Sequence, residues 1–125
     1  MTVQDPWPTE IRLLDGGRRL RVGFDDSASY ELSAELLRVR SPSAEVQGHS
    51  PAERKTLGGK RNVVILAVAP VGHYAVRLDF DDMHRTGIYT WRYLRELGET
   101  SERSFRDYLS ELEAKGLDRD RPGEK

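Results

Sequence analysis

The chain reads as an α+β domain, a small and mainly antiparallel β-sheet of about five strands with two to three helices. Three observations predict it. Val63 to Ala69 is apolar at every position, and Pro70 to His73 separates it from Tyr74 to Phe80, where apolar and polar residues alternate. Ile11 to Leu32 alternates in the same way, broken by two turn-forming clusters. Beyond Ile88 the apolar spacing becomes helical.

In order, Ile11 and Leu13, then Leu20, Val22 and Phe24, then Tyr30 and Leu32 mark three strands of a meander. Asp15-Gly16-Gly17 and Asp25-Asp26-Ser27 supply the turns. Ser33 caps a short helix over Ala34 to Arg40, with Glu35 in its first turn, and Pro42 drives Ser41 out of the helical region and closes it. Residues 41–62 hold Pro42, Pro51, Gly48, Gly58 and Gly59 with little periodicity, as expected of a long surface loop.

The unbroken apolar run from Val63 predicts a central strand covered on both faces. Its hairpin partner points Tyr74, Val76, Leu78 and Phe80 inward, and Gly72 supplies a positive φ in the turn. A helix follows through Ile88, Trp91, Leu94 and Leu97, with Thr86 as N-cap and Gly98 as a left-handed C-cap. Ser101 caps a further helix, whose Phe105, Tyr108, Leu109 and Leu112 form a stripe expected to dock on the sheet; Glu111 and Lys115 are an i,i+4 pair and Gly116 is the stop. The domain therefore comprises residues 8–98, a docked C-terminal helix at 99–116, and a charged tail at 117–125 expected to be disordered.

With 125 residues, one domain is expected, burying roughly two thirds of its unfolded surface. The chain has no cysteine, which excludes disulfides, thiolate-bound zinc, cysteine-ligated iron–sulfur clusters and a cysteine nucleophile. Twenty basic and 21 acidic residues are spread along the chain for a net charge of -1, so no global field favours nucleic acid or an anionic membrane. The N-terminus has neither a basic nor an apolar signal region, and no apolar run is long enough to span a bilayer. The expectation is a cytoplasmic protein, monomeric or weakly dimeric.

Few residues carry a chemical signature. Gly58-Gly59-Lys60 lacks the first glycine and the hydroxyl residue of a phosphate loop, which would fall at Arg54 and Arg61. Arg54, Lys55, Lys60 and Arg61 form a basic cluster in the long loop, a candidate contact for an acidic protein partner or, more weakly, RNA. Asp79, Asp81, Asp82 and His84 are the densest set of hard or borderline metal ligands, with a charged strand-to-helix corner as the alternative. His73 lies on the order of 20 Å from His84 along the intervening strand, leaving His49 as the histidine able to join it. The serines fall in turns and caps, none in a nucleophile elbow, and no acid is marked as a buried catalytic carboxylate. Tyr89, Trp91 and Tyr93 read as core rather than as a ligand-stacking platform.

LLRVRSPSAEV at 36–46, PVGHYAVRLDFDDMH at 70–84 and GIYTWRYLRELG at 87–98 together resemble the gamma-butyrobetaine hydroxylase-like N-terminal domain family, over roughly residues 8–98. The resemblance implies a compact antiparallel sheet with a few helices, and relatives fused to a hydroxylase or to a P-loop ATPase iron–sulfur scaffold. In the hydroxylase the domain holds zinc through three cysteines and a histidine. Carried over, the cysteines fall on Ser41, Ser43 and Val46 and the histidine on His84. Hydroxyls are weak zinc ligands and valine is none, so no closed tetrahedral site of that kind is expected. A partly hydrated site of His84 and Asp82 with His49 or Glu45 is the remaining route to zinc or iron.

The first functional expectation is a non-enzymatic accessory or adaptor domain that binds another protein, linked to iron or iron–sulfur metabolism by analogy with the family. The alternatives are a metal-binding protein or metal-dependent enzyme fragment centred on Asp82 and His84, and a weak nucleic-acid binder using the 54–61 loop.

Overall fold

The computed structural model describes residues 6–121. Its frame is a pair of three-stranded antiparallel meanders. The first comprises β1 (Pro8–Leu14), β2 (Arg19–Phe24) and β3 (Ser29–Ser33), in that order. Val22 sits opposite Ile11 on one side and Tyr30 on the other, and Leu20 opposite Leu13 and Leu32, so the alternating residues share a face. The second comprises β4 (Ile65–Val71), β5 (Ala75–Phe80) and β6 (Ile88–Thr90).

Both sheets turn apolar faces to one core. Leu20, Val22 and Leu32 from the first meet Ile65, Leu78 and Phe80 from the second, together with helix residues Leu37 and Leu94. The sheets also touch through the β1–β2 turn. Gly17 has φ +95, and a Cβ there would lie 2.2 Å from the Ile65 carbonyl oxygen, so this close approach requires glycine.

Four helices complete the fold: α1 (Ala34–Val39), α2 (Ala44–Gln47), α3 (Trp91–Glu99) and α4 (Ser101–Ala114). Ser33 caps α1 as expected, its Oγ accepting the Leu36 N–H at 3.0 Å. A second, smaller cluster forms where Tyr108 and Leu112 of α4 meet Val39 of α1, with Leu57 and Leu117 against it.

Several expectations are corrected in detail. The strand beginning near Val63 is an edge, and β5 is the central strand of its sheet. Its apolar run comes from an outward face carrying Leu66 and Ala67, next to a bulge between Ile65 and Ala67. Ile88 to Thr90 form β6, with Tyr89 opposite Val76, so α3 begins three residues later than the spacing suggested. Thr90 rather than Thr86 caps it, accepting the Tyr93 N–H at 3.1 Å. Gly98 lies inside α3, where a Cβ would come within 2.5 Å of the Tyr30 ring.

α4 packs on α1 and α3 rather than on a sheet, and Ser101 gives it no side-chain cap. Leu109 drops out of its buried stripe, and Tyr74 out of that of β5. The 41–62 segment contains α2 and a 3-10 turn at Pro51–Glu53, and Lys55 N–H bonds the Val46 carbonyl at 2.8 Å. Residues 117–121 do not trail away. Gly59 N–H bonds the Asp118 carbonyl at 2.9 Å and Arg61 N–H that of Arg119 at 3.0 Å. The rest of the expected tail, 122–125, lies outside the described residues.

Candidate functional site

Two chain segments far apart in sequence build the most concentrated polar site. After α1 ends, Ser41 follows directly, and Ser43 caps α2 by accepting the Glu45 N–H at 3.2 Å. Opposite them, the chain leaving β5 makes a tight turn in which Phe80 N–H bonds the His84 carbonyl at 2.9 Å and Met83 has φ +73. The Asp82 carboxylate holds the turn by accepting the His84 N–H at 3.2 Å. His84 is thereby brought against Ser41, with Oγ 2.9 Å from Nε2. Ser43 Oγ and Thr86 Oγ1 are 2.7 Å apart, and the Thr86 hydroxyl donates to Glu45 at 3.1 Å.

The inner half of the cluster is closed, while Glu45 and Thr86 are exposed. Ser41 is 0% exposed and His84 4%. Ser41 Oγ accepts the Ser43 N–H at 3.2 Å, which leaves its own proton for His84 Nε2; Glu45 Oε1, an acceptor, faces Nδ1 at 3.4 Å. The Glu45 acceptor beside Nδ1 favours the neutral Nδ1–H tautomer, with Nε2 accepting from Ser41. Burial holds its pKa below the ordinary value, the Arg38 charge adds to this, and Glu45 and Asp82 oppose it. Serine, histidine and glutamate stand in the order of a nucleophile relay. Ser41 has no access to a substrate, and a Cβ on Gly87 would lie 2.5 Å from its Oγ, so no nucleophilic role follows.

Asp82 points elsewhere. Its Oδ2 accepts Arg38 Nε at 2.7 Å and Lys60 Nζ at 2.6 Å. Burial pushes its pKa up, but the bonds from Lys60 and Arg38 outweigh that and hold it below the ordinary carboxylate value. Arg38 Nη1 is buried with no partner among the described residues. Asp79 pairs with Arg77 at 2.9 Å, and Asp81 accepts the Val64 N–H at 3.1 Å. His49 is exposed.

These residues do not fit zinc or iron. Ser41 and Ser43 do lie against the His84–Thr86 segment, but they are neutral hydroxyls already bonded to His84 and Thr86, and Val46 is a buried aliphatic. The pair His84 and Asp82 is no ligand set either, because the carboxylate meets the backbone N–H and two cations rather than the ring side. Among the described residues, no group of three or more potential ligands is placed to hold an ion.

The basic cluster is largely tied down. Arg54 bonds Glu111 at 2.7 Å beside Arg40, Lys60 bonds Asp82, and Arg61 bonds Asp120. Lys55 alone has no ion pair among the described residues. The aromatic residues are structural: Tyr89 is buried and donates to the Leu37 carbonyl, Tyr93 donates to that of Arg40, and half-buried Trp91 donates to that of His73 at 2.8 Å.

Two of the surface grooves border residues named above. One of about 420 Å³ runs between Leu36 and Phe105, with Glu31 and Glu102 at its sides, but Glu31 already binds Arg19 and Arg21. The other, of about 260 Å³, lies beside Lys60, Asp82 and Arg119 and falls below the usual range for small-molecule sites.

Sequence reasoning placed Glu45 with His84, as a metal ligand rather than as the acceptor beside its ring, and missed Arg38 as the partner of Asp82. Long-range pairing leaves no local signal, and the family spacing was the sole pointer to Ser41, Ser43 and His84 as one site.

Comparison with known proteins agrees with the fold. Two NMR solution structures, each 43% identical to the chain, have TM-scores of 0.82 and 0.79; they cover 98% and 95% of it, and 95% and 90% of their own lengths. A 1.93 Å crystal structure of a DUF971-family protein of unknown function from Acidithiobacillus ferrooxidans is also 43% identical, with a TM-score of 0.61 over 73% of this chain and 91% of that one. No curated protein matches. Residues 11–95 match the family profile described as gamma-butyrobetaine hydroxylase-like, N-terminal. The chain belongs to the gamma-butyrobetaine hydroxylase-like N-terminal domain family.

Proposed function

We propose that the protein is a non-enzymatic accessory module that works by binding another protein, through the outward side of its second sheet. One observation carries the reading: β4 is an edge strand whose outward residues are apolar, with Leu66 64% exposed beside Ala67 and, across the sheet, exposed Ile88. A strand edge with unpaired backbone groups and apolar side chains is a template for an extended segment of a partner. Closure of the Ser41–His84 cluster supports the non-enzymatic half of the reading, since a reacting group must reach its substrate. The cations of the 54–61 loop contribute a rim at most, because Arg54, Lys60 and Arg61 bond acids of the same chain. An association with iron or iron–sulfur metabolism rests on the family resemblance alone.

A photo-crosslinking residue at Leu66, with Arg103 on α4 as control position, tests the assignment in the native cell. The expected result is a discrete adduct from position 66 that disappears on Ala67→Arg while the melting temperature holds. The same adducts from both positions, or none from 66, would contradict it.

A further inference from the structure

The positions where the family places a metal are not left slack in this chain. Two contacts bridge the same pair of segments, Ser41 to His84 and Ser43 to Thr86, each across a sequence separation of 43 residues. Around them, Gln47 Nε2 donates to the Ser41 carbonyl at 2.8 Å, Glu45 accepts the Thr86 hydroxyl, and Val46 is buried. The side chains at the family's ligand positions are already hydrogen-bonded: Ser41 Oγ takes the Ser43 N–H and lies 2.9 Å from His84 Nε2, and Ser43 Oγ lies 2.7 Å from Thr86 Oγ1. The neighbourhood is also wrong for a dication. Arg38 and Lys60 converge on Asp82, whose backbone contact sets the His84 turn, so that carboxylate is already neutralised.

We propose that Ser41, Ser43, His84 and Thr86 form a metal-independent hydrogen-bonded clasp that joins the α1–α2 segment to the β5–β6 turn, in the place of a zinc centre. A tetrahedral zinc site ties two segments by four ligand bonds and makes folding depend on the ion. Here neutral donors and acceptors tie the same two segments, and folding carries no metal dependence. The close fit of Gly87 over Ser41 leaves no room for an ion beside the hydroxyl, and the Ser41–His84 contact is buried, where hydrogen bonds are strongest.

The test uses the whole chain, purified without a metal-affinity tag. Wild type is expected to carry well under one equivalent of zinc or iron by elemental analysis and to keep its melting temperature in chelator. Ser41→Ala and Thr86→Val, each still folded by circular dichroism, are expected to lower the melting temperature whether zinc or chelator is present. The converse variant, Ser41→Cys with Ser43→Cys and Val46→Cys, is expected to bind zinc at least about a thousand-fold more tightly than wild type and to lose that gain on His84→Ala. Stoichiometric metal in wild type, with a melting temperature that falls in chelator, would overturn the proposal. So would a folded three-cysteine variant that binds zinc no better than wild type, or Ser41→Ala and Thr86→Val variants as stable as the parent. Should the three-cysteine variant not fold, the metal content and the two single substitutions decide the matter.

Discussion

Ser41 Oγ and His84 Nε2 are 2.9 Å apart in a site with essentially no solvent access, although 43 residues separate them along the chain. Burial at this contact, with the Arg38 charge, disfavours the protonated histidine, and the stability of the fold should report it. The folded pKa of His84 lies below its ordinary 6.5, so the unfolded chain binds the extra proton first as pH falls. Stability is complete above about pH 6.5 and declines as the pH drops toward the folded value. Denaturant midpoints between pH 5 and pH 7 should show this slope, and His84→Gln should flatten it. An unchanged slope in the variant would place the titration elsewhere.

Tyr89 is buried on β6, and its hydroxyl is bonded to the Leu37 carbonyl at the end of the core. Tyr89→Phe leaves that carbonyl without its partner and is expected to cost about 1–3 kcal/mol. A denaturant titration measures it, and a loss below a few tenths would mean that the carbonyl finds another donor.

Gly87 and Ser41 are coupled sterically. Gly87→Ala drives a methyl to 2.5 Å from Ser41 Oγ and is expected to destabilise by about 1–3 kcal/mol. Because Ser41→Ala removes the clashing oxygen, the double variant should be clearly more stable than the sum of the two single losses allows. Simple additivity in that cycle would contradict the geometry.

Much of the fold was legible in the sequence because its signals are local. Period-two alternation located four of the six strands and an unbroken apolar run a fifth, and Ser33, Gly72 and Gly116 were recognisable from the backbone conformations their positions demand. The misread elements depend on distant partners. Gly98 looks like a helix stop until the Tyr30 ring is placed against it, and Val63 to Ala69 looks central because an apolar outward face and a covered one read alike in sequence. Ile88 to Thr90 is too short to show a period of its own. At the site, the residues now opposite His84 were named by family spacing and Glu45 as their companion, whereas Arg38 could be found in three dimensions alone.

The loop cations give a stability prediction. Lys60 and Asp82 are both mostly buried in their pair, so Lys60→Ser should cost about 1–2 kcal/mol, while Lys55→Ser, with no ion pair among the described residues, should change stability by about 0.5 kcal/mol or less. Thermal melts of the two variants side by side separate a tied loop from a free one; equal effects would mean that the Lys60 contact is not populated.

The tautomer of His84 tests the central claim most directly, because the clasp sets the Glu45 acceptor against Nδ1 and the Ser41 hydroxyl against Nε2 of a metal-free ring. Long-range proton–nitrogen correlation of the imidazole at pH 7.5 should show neutral His84 with Nδ1 protonated and Nε2 shifted as a hydrogen-bond acceptor, unchanged by added chelator. A protonated Nε2, a cationic ring, or resonances that move when chelator strips a metal would contradict it.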